Sequence, residues 1–567
     1  MIVVLLAVPL AGALLLLVPP ERYGVRGAER AERAVPAPPV ADPSGPSGPA
    51  GPAEGAKLAG DSVNKVERYV RVVGVLVSGL ALLVAGIVAA GFDYGHPQRM
   101  AQVIDVPWAP AIGLRFHVGV DGVSLPLVVL TALLTFLCLL HLLCTDRAER
   151  PSGRALVGLV LLLETGLLGT FVALDLVLFF LFFAAVLVPM YFVIGIWGAG
   201  PGRSAAAERF ILSMAVGSAA LLVGLMIIAT EGGTFDMVVL ARRHGAGLSH
   251  GAQVAAFLLV GLGFAVTAPM WPLHSWLSGA HAEAPIAGSV LLAGVLVKTG
   301  TYGLIRIALP MAPAGARTWA PWLGLFAVAG IVHGSLACLA QRELRRMFAY
   351  SSVGLMGFGL LGVATLTPAG ANAALFGNIA HGLIIGLLFF LTGAIEHRYG
   401  TGDLAAVGTG GAGGAAGGGI PRRLPRLGAI VTFACLAGLG LPGLAGFWGQ
   451  MLSLLGAYRP GPGLPRPAFV IFMAIGGLGV VLTMVGFLRL LVRLTAGPVP
   501  VAAAVATGSA TDSGERSRPD GAGGGDLRPY EYAIFVPLVA LTLAVGLWPK
   551  ALLDLTDGPV RALLGGG

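Results

Sequence analysis

Charge is what this chain has least of. Only 11% of its 567 residues are Asp, Glu, Lys or Arg, where a soluble chain carries about a quarter. So little charge cannot clothe a water-facing surface, so most of the chain must face lipid. The net charge of +8 would suit nucleic acid, but the arginines are scattered over short loops between apolar runs, which fits orientation in a membrane better. Cysteine is scarce as well. Cys138, Cys144, Cys338 and Cys435 lie in or beside apolar runs, with neither metal-ligand spacing nor a disulfide framework. Haem, iron–sulfur and nucleotide motifs are missing, so no redox chemistry, bound cofactor or metal is expected in this chain. The opening MIVVLLAVPLAGALLLLVPP lacks the positive start of a signal peptide and reads as a first membrane helix.

What is abundant is apolar. Hydrophobic residues make up 56% of the chain, and the mean hydropathy is +0.86. A spanning helix needs about 20 such residues. An all-α, polytopic membrane protein of about fourteen transmembrane helices is expected, with helices near 2–19, 69–91, 121–144, 154–172, 175–197, 209–229, 252–270, 286–308, 320–340, 346–364, 373–396, 427–456, 468–494 and 530–548. The stretch from 20 to 60, extended to 68 at the next helix, is rich in Pro, Ala and Gly. The stretch 498–528 is rich in Gly, Ser and Asp, and 405–420 is nearly pure Gly and Ala. All three read as disordered spacers outside the bilayer.

Arginine sets the sidedness. Arg22, Arg26, Arg30 and Arg33 follow the first helix; Arg147, Arg150 and Arg154 the third; Arg203 and Arg209 the fifth. Arg342, Arg345 and Arg346 follow the ninth, Arg398, Arg422, Arg423 and Arg426 the eleventh, and Arg516, Arg518 and Arg528 the thirteenth. These connections are expected in the cytoplasm of a cell with an inner (plasma) membrane, leaving both termini outside it. The pair Arg242–Arg243 runs against the trend.

Two helices carry breakers at corresponding places: Thr267-Ala268-Pro269-Met270-Trp271-Pro272 in the seventh and Gly438-Leu439-Gly440-Leu441-Pro442-Gly443 in the twelfth. Proline removes a donor, and broken backbone at bilayer depth is tolerated only inside protein or beside water. Paired breaks point to inverted repeats with a transport path at each; ordinary proline kinks are the plainer alternative.

Ionisable residues inside spans are expensive and therefore candidates for function. Glu164, Lys298, His333 and His381 are the four expected within spans, and together they read as a proton relay. A static Glu164–Lys298 pair that fixes helix packing is the alternative, and His333 need only bond a neighbouring helix. His274, His281 and Glu283 follow the broken seventh helix; their spacing fits no standard metal site, and proton entry or an interface suits them better. Asp121 and Asp175 stand at helix starts, where capping is the simpler reading.

The segments DGVSLPLVVLTALL, ALDLVLFF, VPMYFVIGIWG, PMWPLHSWL with AHAEAPIAGSVLLAGVLVKTGTYG, AYSSVGLMGF, AHGLIIGLLFFLTG and GLPGLAGF resemble the antiporter-like subunit M of NADH-quinone oxidoreductase (respiratory complex I) over nearly all of the chain beyond the first loop. The resemblance implies two inverted five-helix repeats, residues 151–310 and 311–497, preceded by segments 1–19, 20–68 and 69–150 and followed by 498–528 and 529–567. It implies membership of a complex in which quinone reduction drives proton translocation. NADH, FMN, iron–sulfur clusters and quinone would then sit in other subunits, and L- and N-like membrane subunits would be partners. The family's eighth-helix lysine falls on Lys298, its eleventh-helix histidine on His381 and its fourth-helix glutamate on Glu164.

The family pattern is broken at four functional places. Ala184 stands for the fifth-helix glutamate, Thr267 for the seventh-helix lysine, Leu355 for a tenth-helix histidine and Gln450 for the twelfth-helix glutamate. Losing the glutamate–lysine pair together avoids stranding one buried charge, and Gln450 can bond water but releases no proton. The resemblance thus implies a divergent paralogue with an impaired or rerouted proton path, in which His333 is a candidate substitute. A subunit of a multisubunit sodium/proton antiporter and a structural subunit that pumps nothing are the competing readings.

Overall fold

The computed structural model describes residues 1–17, 52–145, 153–409, 419–496 and 526–565. Most of the 20–68, 405–420 and 498–528 spacers, with Arg22, Arg147, Arg516 and their neighbours, lies outside these residues. The part that is described departs from the expectation: α2 (Pro52–Ala90) begins well before residue 69, and Leu404–Thr409 and Ile420–Arg423 are short helices.

Twelve helices among the described residues are long and apolar enough to cross a membrane. They fall at the second to eleventh, thirteenth and fourteenth expected positions. We label them α2 as above, α3 (Leu125–Cys144), α4 (Gly153–Val172), α5 (Leu176–Trp197), α6 (Arg203–Gly232), α7a (His250–Thr267), α8 (Ile286–Met311), α9 (Pro313–Ala340), α10 (Leu344–Ala364), α11 (Pro368–Tyr399), α13 (Arg466–Ala496) and α14 (Pro529–Leu547). The first and twelfth positions hold shorter apolar pieces: α1 (Ile2–Leu17), and α12a (Pro425–Leu439) followed by α12b (Ala445–Tyr458).

Both expected breaks are present. α7a ends at Thr267, and α7b (Ser275–Glu283) resumes after Pro269 and Pro272. α12a ends on Gly440 in the left-handed region (φ +81°), a conformation glycine adopts without a Cβ penalty. A matched device lies outside the breaks. Before α5, Leu176 N–H donates to Phe235 O and Met237 N–H to Leu174 O; before α10, Leu344 N–H donates to Gly402 O and Leu404 N–H to Arg342 O. In each case an Asp then caps a short helix: Asp236 accepts from the Val238 and Val239 amides, Asp403 from those of Ala405 and Ala406.

Two elements were not expected from the sequence. An antiparallel hairpin of β1 (Ala101–Ala109) and β2 (Leu114–Val120) separates α2 from α3 and sets Asp105 opposite His117. After α14, the tail forms an amphipathic helix, α15 (Lys550–Leu563), tied to α11 by Asn372 donating to Asp557 at 2.9 Å.

α8 is the axis of the molecule, with every residue from Ile286 to Met311 buried. It is not a regular α-helix. π-helical turns at Leu292–Leu296 and Leu304–Ala308 flank the α-helical segment Lys298–Gly303. Such turns are rare and concentrate at functional sites.

A lysine–histidine centre between α8 and α11

The first π-turn presents Lys298. The Val297 N–H reaches back to Leu292 O at 3.2 Å, one residue further than an α-turn. Lys298 Nζ donates to Ala293 O at 2.6 Å and lies 2.5 Å from His381 Nδ1 on α11. His381 Nε2 contacts Ser352 Oγ on α10 at 3.2 Å. One neutral nitrogen must accept in the Lys298–His381 contact, so the pair holds its proton on one side at a time. Both side chains are buried, Lys298 completely.

Below His381 the centre opens into a small cavity of about 30 Å³, lined by Leu355, Asn378, Gln450 and several glycines. Asn378 Oδ1 accepts from Thr301 at 2.9 Å, while Asn378 Nδ2 and Gln450 Nε2 are buried without a partner among the described residues. That volume accommodates about one or two waters, which such orphaned amides require.

The remaining candidates are spread apart. Glu164 on α4 is fully buried, but its partner is Ser78 on α2 at 3.1 Å; it makes no ion pair with Lys298, so the static Glu164–Lys298 pair is not formed. His333 is exposed on α9 and packs against His274 at 4.8 Å between ring centroids, so it faces away from the Lys298–His381 centre and does not replace a relay residue there. Of the proposed entry group, His281 is the most deeply buried. It is fully buried, stacked on Phe389, and neither ring nitrogen has a partner among the described residues. His274 is buried as well, packed against His333 and Tyr350, and Glu283 packs against the α5–α6 connection, where Ala199 N–H donates to its carbonyl at 2.7 Å.

The helices that carry Ala184 and Thr267 meet through aromatic packing. Phe179 and Phe183 on α5 stack at 6.2 Å and meet Phe264 on α7a edge-on. Phe264 lies on Gly303 of α8 so closely that a Cβ there would overlap its ring. Thr267 turns its hydroxyl back to Gly263 O at 3.2 Å.

Sequence reasoning missed one intramembrane charge. Arg306, in the second π-turn, forms a buried ion pair with Asp121 at 2.5 Å. Asp121 therefore does more than cap: Oδ1 accepts from the Val123 and Ser124 amides while Oδ2 holds Arg306. The signal was available, because Arg306 lies inside the run expected to span. Asp175 is a cap as expected, accepting from the Val177 and Leu178 amides.

The family model for NADH:quinone oxidoreductase/Mrp antiporter transmembrane subunits matches residues 173–492. This chain belongs to that family. It is 37% identical to NADH-quinone oxidoreductase subunit M of Rhodobacter capsulatus over 88% of its own length and 91% of that protein. The antiporter-like chain also superposes on a chain of respiratory complex I from Thermus thermophilus with a TM-score of 0.75 and 26% identity, covering 99% of this chain and all of the other. A chain of the Mrp complex from Dietzia sp. DQ12-45-1b gives a TM-score of 0.72 and 25% identity over 89% and 94%.

Proposed function

We propose that this chain is the M-type membrane-arm subunit of a proton-translocating NADH-quinone oxidoreductase and carries protons across the midplane through Lys298 and His381. The subunit M relative supports the parent complex, and the observation that carries the mechanism is the 2.5 Å contact between two titratable side chains on a doubly π-bulged, wholly buried helix. Electron transfer belongs to other subunits, which hold NADH, FMN, iron–sulfur clusters and quinone; L- and N-like subunits flank this one in a plasma membrane, with both termini outside the cytoplasm. The matched bridges and caps before α5 and α10 support two inverted repeats. The aromatic packing at Phe179, Phe183 and Phe264 supports a retired first-half switch, so the transported proton bypasses α5 and α7a.

The test is the stoichiometry of the reconstituted complex. Lys298→Ala lowers protons moved per electron by this subunit's share; an unchanged ratio refutes the role. A second reading, a subunit of an Mrp-type antiporter, is favoured by the Dietzia superposition. Purification from native membranes decides between them: redox subunits co-purify under the first, and only small membrane subunits under the second.

A further inference from the structure

The connection between α12b and α13 gathers two arginines that no ion pair uses. α12b ends at Tyr458, Arg459 follows it, and Arg466 opens α13. The loop between them is tied down: Gly461 N–H donates to Thr365 O at 2.8 Å and Leu464 N–H to Gly461 O at 3.3 Å. Both guanidinium groups are drawn to one ring, Arg459 lying 5.9 Å and Arg466 5.6 Å from the Tyr458 centroid. All three residues are exposed. Arg306, Arg345 and Arg398 are each held by a carboxylate; Arg459 and Arg466 meet none among the described residues. An aromatic ring attracts cations but does not neutralise them, so two like charges are left together without an anion.

Their surroundings say what kind of anion fits. Below Tyr458, Leu455 and Met451 are exposed on the same outward side of α12b, and Ile471 and Leu478 are exposed on α13. The two helices abut where Leu454 lies on Gly476, so closely that a Cβ there would come within 2.8 Å of it. The arginines thus crown an apolar surface that two membrane helices share, at the level where apolar spans end and lipid phosphates lie. The connection is also an even-to-odd one, on the face opposite the arginine-rich connections, where arginine is disfavoured.

We propose that Tyr458, Arg459 and Arg466 bind the phosphate of an anionic phospholipid, whose acyl chains run down the surface formed by Leu455, Met451 and Ile471. Arginine is suited to this, because its planar donors match phosphate oxygens in pairs. The Tyr458 ring keeps the two cations together, and its hydroxyl has a proton to donate. A carboxylate from a neighbouring subunit would answer the charge alone. A phospholipid supplies the anion and the hydrocarbon in one molecule, in the order in which the surface presents them. The lipid so held braces the half-helix that carries Gln450.

The test uses the chain in its native complex, placed in phosphatidylcholine nanodiscs doped with a phosphatidylglycerol that carries a photoactivatable diazirine on one acyl chain. Labelled peptides are mapped by mass spectrometry. The outward face of α6 at Leu212 and Val216, which is exposed and apolar, reports ordinary boundary lipid. Labelling of α12b and α13 is expected, displaced by an excess of unlabelled phosphatidylglycerol but by neither added phosphatidylcholine nor inorganic phosphate. Arg459→Gln with Arg466→Gln should lower it at least fivefold and leave α6 labelling unchanged. Equal displacement by phosphatidylcholine means unselective boundary lipid and overturns the site, as does undiminished labelling in the double variant. Displacement by inorganic phosphate reveals a free-anion site and overturns the lipid assignment. Labelling of α6 without α12b or α13 in the native complex shows that protein covers the arginines, which also overturns it.

Discussion

Arg306 and Asp121 show how much one embedded ion pair decides. Removing one partner of a buried pair strands the other and costs about 3–5 kcal/mol. Arg306→Ala should therefore lower the thermal stability of the detergent-solubilised chain by about that much, while Arg306→Met with Asp121→Asn recovers part of it because Asn still caps α3. Lys298 and His381 were legible in the sequence, since a charge inside an apolar run has few innocent explanations. Hydropathy says nothing about azimuth, however, so it could not show that His333 turns outward, that Glu164 finds Ser78 on α2, or that His281 is the most deeply buried of the entry trio. Arg306 was passed over although the same rule covers it.

At the scale of elements, the space beside α5 and α7a is the most exacting. Ala184→Glu would place a carboxylate beside the phenylalanine cluster, and a loss of about 3 kcal/mol is expected, partly restored when Thr267→Lys is added; thermal unfolding of the three variants checks this. The connection between α6 and α7a carries the pH-sensitive group, Asp236. Burial pushes Asp236 up, but the contact with His117, 3.1 Å between Nδ1 and Oδ2, together with two amide bonds, outweighs it and holds Asp236 below the ordinary 3.8. A depressed carboxylate stabilises fully above the unfolded value and loses that contribution as pH falls through the folded one. In His117→Phe only the amide bonds oppose burial, so the stability lost on acidification should be smaller than in the native chain, which melting curves between pH 3 and 5 detect. Spans and breaks were readable at this scale because apolar length and Pro or Gly have direct backbone consequences. The β1–β2 hairpin was not, since Pro107 within β1 argues against a strand, and the π-turns share their composition with any buried helix.

For the whole molecule, sidedness is the property most open to direct test. Ser204→Cys, in the first turn of α6, should react with an impermeant label only from the cytoplasmic side, and Ala246→Cys, between α6 and α7a, only from the other; both positions are exposed. Arginine counts lead to this expected sidedness, but not to the central place of α8, which only packing reveals. That place has a consequence for how charge and shape are linked. The carbonyl of Ala293, which the Val297 N–H would claim in a regular turn, is held instead by the ammonium of Lys298. Under the proposed carrier role, a nitrogen that surrendered its proton would loosen its grip on its own backbone, and the winding of the innermost helix would register the passage of single protons. Lys298→Met should let the helix close up there, and slower exchange of the Val297 amide would record it.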